Sequence, residues 1–223
     1  MSTTSATIRG RPNDVMPSFS GQVNDPTPPT ALVNLYHLLT KAIGPVADMD
    51  AGDPELPRQV ATELHDTLQQ PAARLAAAWD SALTDRESLT VAHAQLFLGP
   101  FEMLAPPYES LYLDPERRLM GQVSQAVARA YANAGLGPAA GPQEVPDHIT
   151  RELEFMYFTG FQAIRSGQAD WSYRGQRFWN DHLGRWLPLL AANIADANVH
   201  PFYNTVAEVL DALNAVELAR NTG

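Results

Sequence analysis

Residues 31–43 read ALVNLYHLLTKAI. Leu32, Leu35, Tyr36, Leu39 and Ile43 recur three or four positions apart, which lays one apolar stripe along an α-helix. Gly44-Pro45 punctuates the end of that run. The same period returns through the rest of the chain, and nowhere is there a sustained alternation of apolar and polar residues. The expected fold is therefore all-α with about eight to eleven helices, either a single globular bundle or two helical subdomains joined by a hinge.

Upstream of this helix, residues 1–30 contain Asp25-Pro26-Thr27-Pro28-Pro29 and little periodicity, so they read as an extended or poorly ordered arm. Downstream, Pro57 can open a helix with Val60, Leu64 and Leu68 on one face. Pro71 opens the small-residue run AARLAAAWDSAL, and Thr84 or Asp85 can cap a helix carrying Leu89, Ala92, Leu96 and Phe97. Residues 97–114, FLGPFEMLAPPYESLYLD, interrupt this pattern with three prolines and four aromatics. An ordinary connection is about 4–6 residues long, so a long apolar one either packs on the core or binds something.

Asp114-Pro115-Glu116 has the composition of a helix start, followed by Leu119, Val123, Ala126, Val127, Ala130 and Tyr131 on one side. Gly135-Leu136-Gly137-Pro138 stops it. The expected organisation is an N-terminal helical part, 31–134, containing a proline-aromatic loop at 98–113; a Gly/Pro-rich hinge, 135–145; and a C-terminal helical part, 146–223. Pro146-Asp147-His148 opens that last part, with breaks expected near Gly184, Pro188 and His200-Pro201.

Composition narrows the function. Of 223 residues, 45% are hydrophobic and 18% charged, as in soluble globular proteins. No run of 18 apolar residues occurs, which excludes stable membrane insertion, and the N-terminus lacks the apolar core of a secretory signal. The absence of cysteine rules out disulfides, thiolate metal sites and cysteine nucleophiles. These features point to the cytoplasm. The formal charge is −10, Lys41 is the single lysine, and Arg117-Arg118 is the only adjacent basic pair. Nucleic acid is a poor partner for such a surface. An acidic chain either attracts a basic ligand or is simply kept soluble by its charge.

The sequence contains no phosphate-cradling G-x-x-x-x-G-K-[ST], no G-x-G-x-x-G, no G-x-S-x-G and no H-E-x-x-H. No enzyme class finds support, and no catalytic residue or metal site is assigned. Recognition features remain. Pro106-Pro107 fixes two φ angles and presents Tyr108 on stiff backbone, with Glu109, Ser110 and Tyr112 beside it. Such a cluster can form a peptide-binding surface, or its aromatics can cap the core beneath a long loop. Asp147-His148 is either a plain helix start or part of the same surface.

Gln95 to Pro100, continuing through Ala105-Pro106-Pro107-Tyr108-Glu109-Ser110-Leu111-Tyr112-Leu113-Asp114, resembles the signature loop of the TorD/DmsD family. Two further blocks follow in the family's order: Pro146-Asp147-His148-Ile149 with Glu152 to Met156, then Phe178, Asp181-His182-Leu183 and Trp186-Leu187-Pro188, with Phe202-Tyr203 beyond. The resemblance covers roughly residues 87–210. It implies a cytoplasmic maturation chaperone, not an enzyme, which binds the twin-arginine signal peptide and the cofactor-free catalytic subunit of a molybdopterin oxidoreductase until cofactor insertion. It further implies peptide contacts from Pro106, Pro107, Tyr108, Glu109, Ser110, Asp147 and His148.

Physical complementarity adds Leu104 and Tyr112, which with Tyr108 are expected to line an apolar groove for a helical peptide. Glu109 and Asp147 are the expected carboxylates for the two guanidinium groups, at an exposed rim where each pair is worth about 0.2–1 kcal/mol. No resident cofactor is expected. The alternatives are a nucleotide (GTP)-dependent chaperone or weak GTPase, against which the missing phosphate loop argues, and a helical adaptor without a peptide groove. The Gly/Pro-rich hinge makes either a monomer or a domain-swapped dimer feasible.

Overall fold

The structure, a computed structural model, describes residues 28–49, 55–99, 102–137 and 145–222. The 1–27 stretch of the N-terminal arm, Pro100, Phe101 and the 138–144 stretch of the Gly/Pro-rich link lie outside the described residues. The elements in chain order are α1 (Thr30–Ile43), α2 (Leu56–Glu63), α3 (Gln69–Thr84), α4 (Arg86–His93), α5 (Ser110–Leu113), α6 (Gln122–Asn133), α7 (Ile149–Ser166), α8 (Ala169–Phe178), α9 (Gly184–Ala197) and α10 (Pro201–Thr222). A π-turn, Ala94–Leu98, extends α4, and a second, Trp179–Leu183, joins α8 to α9. Among the described residues no β-strand occurs, so the fold is all-α. No helix among them is long and apolar enough to cross a membrane.

The apolar stripe of α1 becomes the centre of the molecule. Leu35, Leu39, Ala42 and Val33 are fully buried, and α1 packs along α7. Gly160 makes the approach close: a Cβ there would meet Val33 Cγ2 at 2.6 Å. On the other side α10 packs against α3 and α9. Tyr36 donates its hydroxyl to buried Glu217 on α10 at 2.6 Å, tying the first helix to the last. One continuous apolar cluster includes residues of α1, α3, α7, α9 and α10, and so spans both the 31–134 and 146–223 parts. Each fully buried leucine in it contributes about 1.5–3 kcal/mol relative to exposure.

Most local signals act as expected. Asp85 caps α4 by accepting from Ser88 N, and Pro57 stands in the first turn of α2. Two do not. Asp114-Pro115-Glu116 starts no helix: Asp114 Oδ1 accepts from Glu116 N at 2.8 Å, which turns the chain. Arg117 and Met120 then take φ values of 50° and 60°, outside the helical region, so α6 waits until Gln122. Pro188 does not break α9. Nor does Gly184: residues 169–197 run as helix without interruption through the π-turn at 179–183.

Candidate functional site

The proline-aromatic loop and the start of α7 lie side by side. Glu109 N donates to Asp147 O and Ile149 N to Pro107 O, both at 2.9 Å. These bonds pair Tyr108 with His148 in an isolated antiparallel bridge. The two rings meet edge to face, with centroids 5.1 Å apart and planes at 78°. Pro106 and Pro107 are buried, Tyr108 and His148 half-buried, and Leu104 is 47% exposed. Proline suits this loop because its backbone bends without spending an N–H that would need a partner.

Beneath the pairing is a polar core that sequence reading placed elsewhere. Asp147 is fully buried, and its Oδ2 accepts from Ser110 N at 2.8 Å, capping the short α5. His148, rather than Asp147, caps α7: its Nδ1 accepts from Thr150 N at 3.3 Å. Glu109 is 1% exposed, with His182 Nδ1 3.1 and 3.2 Å from its two oxygens. An exposed acidic rim formed by Glu109 and Asp147 is therefore absent. Both carboxylates are turned inward, where they satisfy the Ser110 amide and the His182 ring nitrogen, which burial would otherwise leave unpaired.

Two further groups complete this core. Glu152 on α7 is fully buried and accepts from Trp186 Nε1 at 3.0 Å. Burial first, then the neighbouring Glu109 charge, push its carboxyl well above the ordinary carboxylate range. Two adjacent buried carboxylates cannot both ionise cheaply, so the shift favours the protonated form of Glu152 beside Glu109. Tyr112 packs its ring on Trp186 at 5.3 Å and accepts from Asn193 Nδ2 at 3.1 Å.

A groove of about 840 Å³ opens beside this core, between α6 and the α8–α9 region. Glu109 and His182 reach it from the core, the half-buried Val123, Ala126 and Ala130 provide apolar surface above buried Phe155 and Phe178, and Arg129, Arg174, Arg177 and Arg185 also line it. Tyr131 fixes α6 in place by stacking on Phe155 and Phe178 and donating to Pro146 O at 3.0 Å. Of the peptide-contact residues expected from sequence, only Glu109 lines this groove. Leu104, Tyr108, Tyr112 and His148 lie outside it and keep partial exposure, and Pro106, Pro107, Ser110 and Asp147 are buried.

A family described as nitrate reductase delta subunit matches residues 58–192, more than half of the chain. The chain belongs to that family. The perchlorate reductase assembly chaperone protein of Dechloromonas aromatica (strain RCB) is 31% identical over 174 residues, covering 72% of this chain and 76% of the relative. The chaperone protein TorD of Psychrobacter sp. (strain PRwf-1) is 30% identical over 101 residues, covering 44% and 46% respectively. The Tat proofreading chaperone DmsD of Salmonella typhi is 26% identical over 123 residues, covering 55% and 57%. The TorD/DmsD resemblance carried by the three blocks over roughly residues 87–210 is thus borne out.

Sequence reasoning missed Glu152, His182 and Trp186 as members of one network. A signal for the first was present: Glu152 sits on the apolar stripe of Ile149, Leu153 and Met156, where a charge is expected only if it is paired. His182, in the π-turn, and Trp186, on α9, stood in the third resemblance block, but no local pattern places them beside Glu109 and Glu152.

Proposed function

We propose that this protein is a cytoplasmic redox-enzyme maturation chaperone. It binds the twin-arginine signal peptide and the catalytic subunit of a molybdopterin oxidoreductase before cofactor insertion, and it works by binding, without turnover. The observation that carries this reading is the Tyr108–His148 pairing, which joins two segments forty residues apart in the chain into one rigid surface. Membership of a family whose relatives are named as assembly and proofreading chaperones supports the same reading.

In this proposal the peptide contacts Leu104, Tyr108, Tyr112 and His148, which retain exposed surface. Pro106, Pro107, Glu109, Ser110 and Asp147 fix the geometry of that surface from below. The net charge of −10 draws the arginine pair in by long-range attraction. At the surface, the ring face of Tyr108 can receive a guanidinium, a contact worth about 0.5–1 kcal/mol where solvent reaches it. Apolar burial of the peptide's hydrophobic stretch then supplies most of the affinity. Calorimetric titration of a twin-arginine peptide into wild type, Tyr108→Ala and His148→Ala tests the site. Each variant is expected to bind at least several-fold more weakly with unchanged helical circular dichroism. Wild-type affinity in both removes this face from recognition.

A further inference from the structure

The chain has fifteen basic residues against twenty-five acidic ones, yet four of the fifteen, Arg129, Arg174, Arg177 and Arg185, line a single groove. The groove's own acids do little to cancel them. Glu109 is turned into the polar core against His182. Asp181 is shared: Arg177 Nε donates to its carboxylate at 3.3 Å and Arg185 Nη1 to its backbone carbonyl at 3.4 Å. Arg174 is held most firmly, donating to Asp170 and to Asn133 O on α6, both at 2.7 Å, with its guanidinium 5.4 Å over the Trp171 ring, whereas the partners of Arg177 and Arg185 are exposed and local. Exposed pairs of this kind are weak and exchange readily for a better acceptor.

The arginines stand on both walls, Arg129 on α6 and the others on α8 and α9, and the half-buried Val123, Ala126 and Ala130 of α6 add apolar surface beside them. A compact phosphate needs cations that converge on one point. Guanidinium groups spread along a cleft with apolar surface between them instead suit carboxylates spaced along a chain that also carries apolar side chains. The α6 wall has twelve residues. At 1.5 Å per residue it is about 18 Å long, the span of about five or six residues of extended peptide.

We propose that the α6–α8 groove is a second peptide-docking site, which takes a short segment of alternating acidic and apolar residues from a partner protein. It is separate from the Tyr108–His148 face and does not depend on the signal-peptide reading. The test uses a six-residue peptide of alternating leucine and glutamate, its glutamine counterpart and inorganic pyrophosphate, titrated into the full chain. The leucine–glutamate peptide is expected to bind at least tenfold more tightly than the glutamine peptide. The Arg177→Glu/Arg185→Glu double variant, at two exposed positions, is expected to lose at least tenfold in affinity while keeping its melting temperature. Raising sodium chloride from about 0.05 to about 0.3 M should weaken binding, because the charges are exposed to screening. Equal affinity for the two peptides, or unaltered affinity in the double variant, overturns the proposal. So does binding of pyrophosphate at the arginines without binding of the acidic peptide, which would assign the groove to a phosphate ligand.

Discussion

Replacing Glu152 by glutamine tests the polar core directly. The side chain is fully buried, accepts from Trp186 Nε1 at 3.0 Å and is hydrogen-bonded to Glu109. Glutamine keeps both interactions, its oxygen accepting from the indole and its amide donating to Glu109 in place of the acid proton. What it removes is the titration. In the unfolded chain Glu152 loses its proton near pH 4.3, whereas in the fold burial and the Glu109 charge hold the proton to a much higher pH. Between those two values unfolding releases a proton, so the stability this group contributes is complete below the unfolded pKa and is lost as pH rises towards the folded one. The slope is about 1.4 kcal/mol per pH unit wherever the fold holds the proton and the unfolded chain does not. Glu152→Gln should therefore gain on wild type steadily as pH rises. Urea unfolding followed by helical circular dichroism at pH 5, 6 and 7 measures the difference. Parallel stability curves, or a wild type that gains on the variant with rising pH, would show that Glu152 is ionised in the fold and refute the reasoning.

Asp147→Ala leaves the buried Ser110 N–H without its acceptor, at a cost of about 1–3 kcal/mol, whereas Asp147→Asn retains an acceptor and should cost less. Thermal melting compares them, and equal losses would mean that capping α5 is not what Asp147 contributes. Trp186→Phe removes the donor to Glu152 Oε2 and should lower stability by about 1–3 kcal/mol beyond the change in packing, measured by urea unfolding. Signal-peptide binding should weaken modestly with salt, since the chain's charge steers the arginines while apolar contact holds the peptide.

The all-α class was legible because helical periodicity survives wherever one face is buried, as in α1 and in the Ile149–Leu153–Met156 stripe of α7. Asp85 was legible as a cap because capping is a local bond. The failures arise where tertiary structure competes with local chemistry. Asp114-Pro115-Glu116 has the composition of a helix start, but the chain instead makes a turn and two left-handed residues. Asp147 and Glu109 were legible as important and wrongly placed at the surface. Their partners, Ser110 N and His182, come from segments thirty-seven and seventy-three residues away, a pairing that no local pattern encodes. The arginine-lined groove was invisible for the same reason, because its residues are scattered in sequence and converge only through the packing of α6 on α8.

The central claim is that this chain recognises a twin-arginine signal peptide. Calorimetric titration of that peptide into the full chain, beside the same peptide with both arginines replaced by lysine, tests it most directly. Lysine keeps the charge but loses the planar, delocalised guanidinium that stacks on an aromatic face and donates in pairs. Saturable binding of the arginine peptide, at least tenfold tighter than the lysine peptide, is the predicted result. Equal affinity for the two peptides, or no binding of either, contradicts the account.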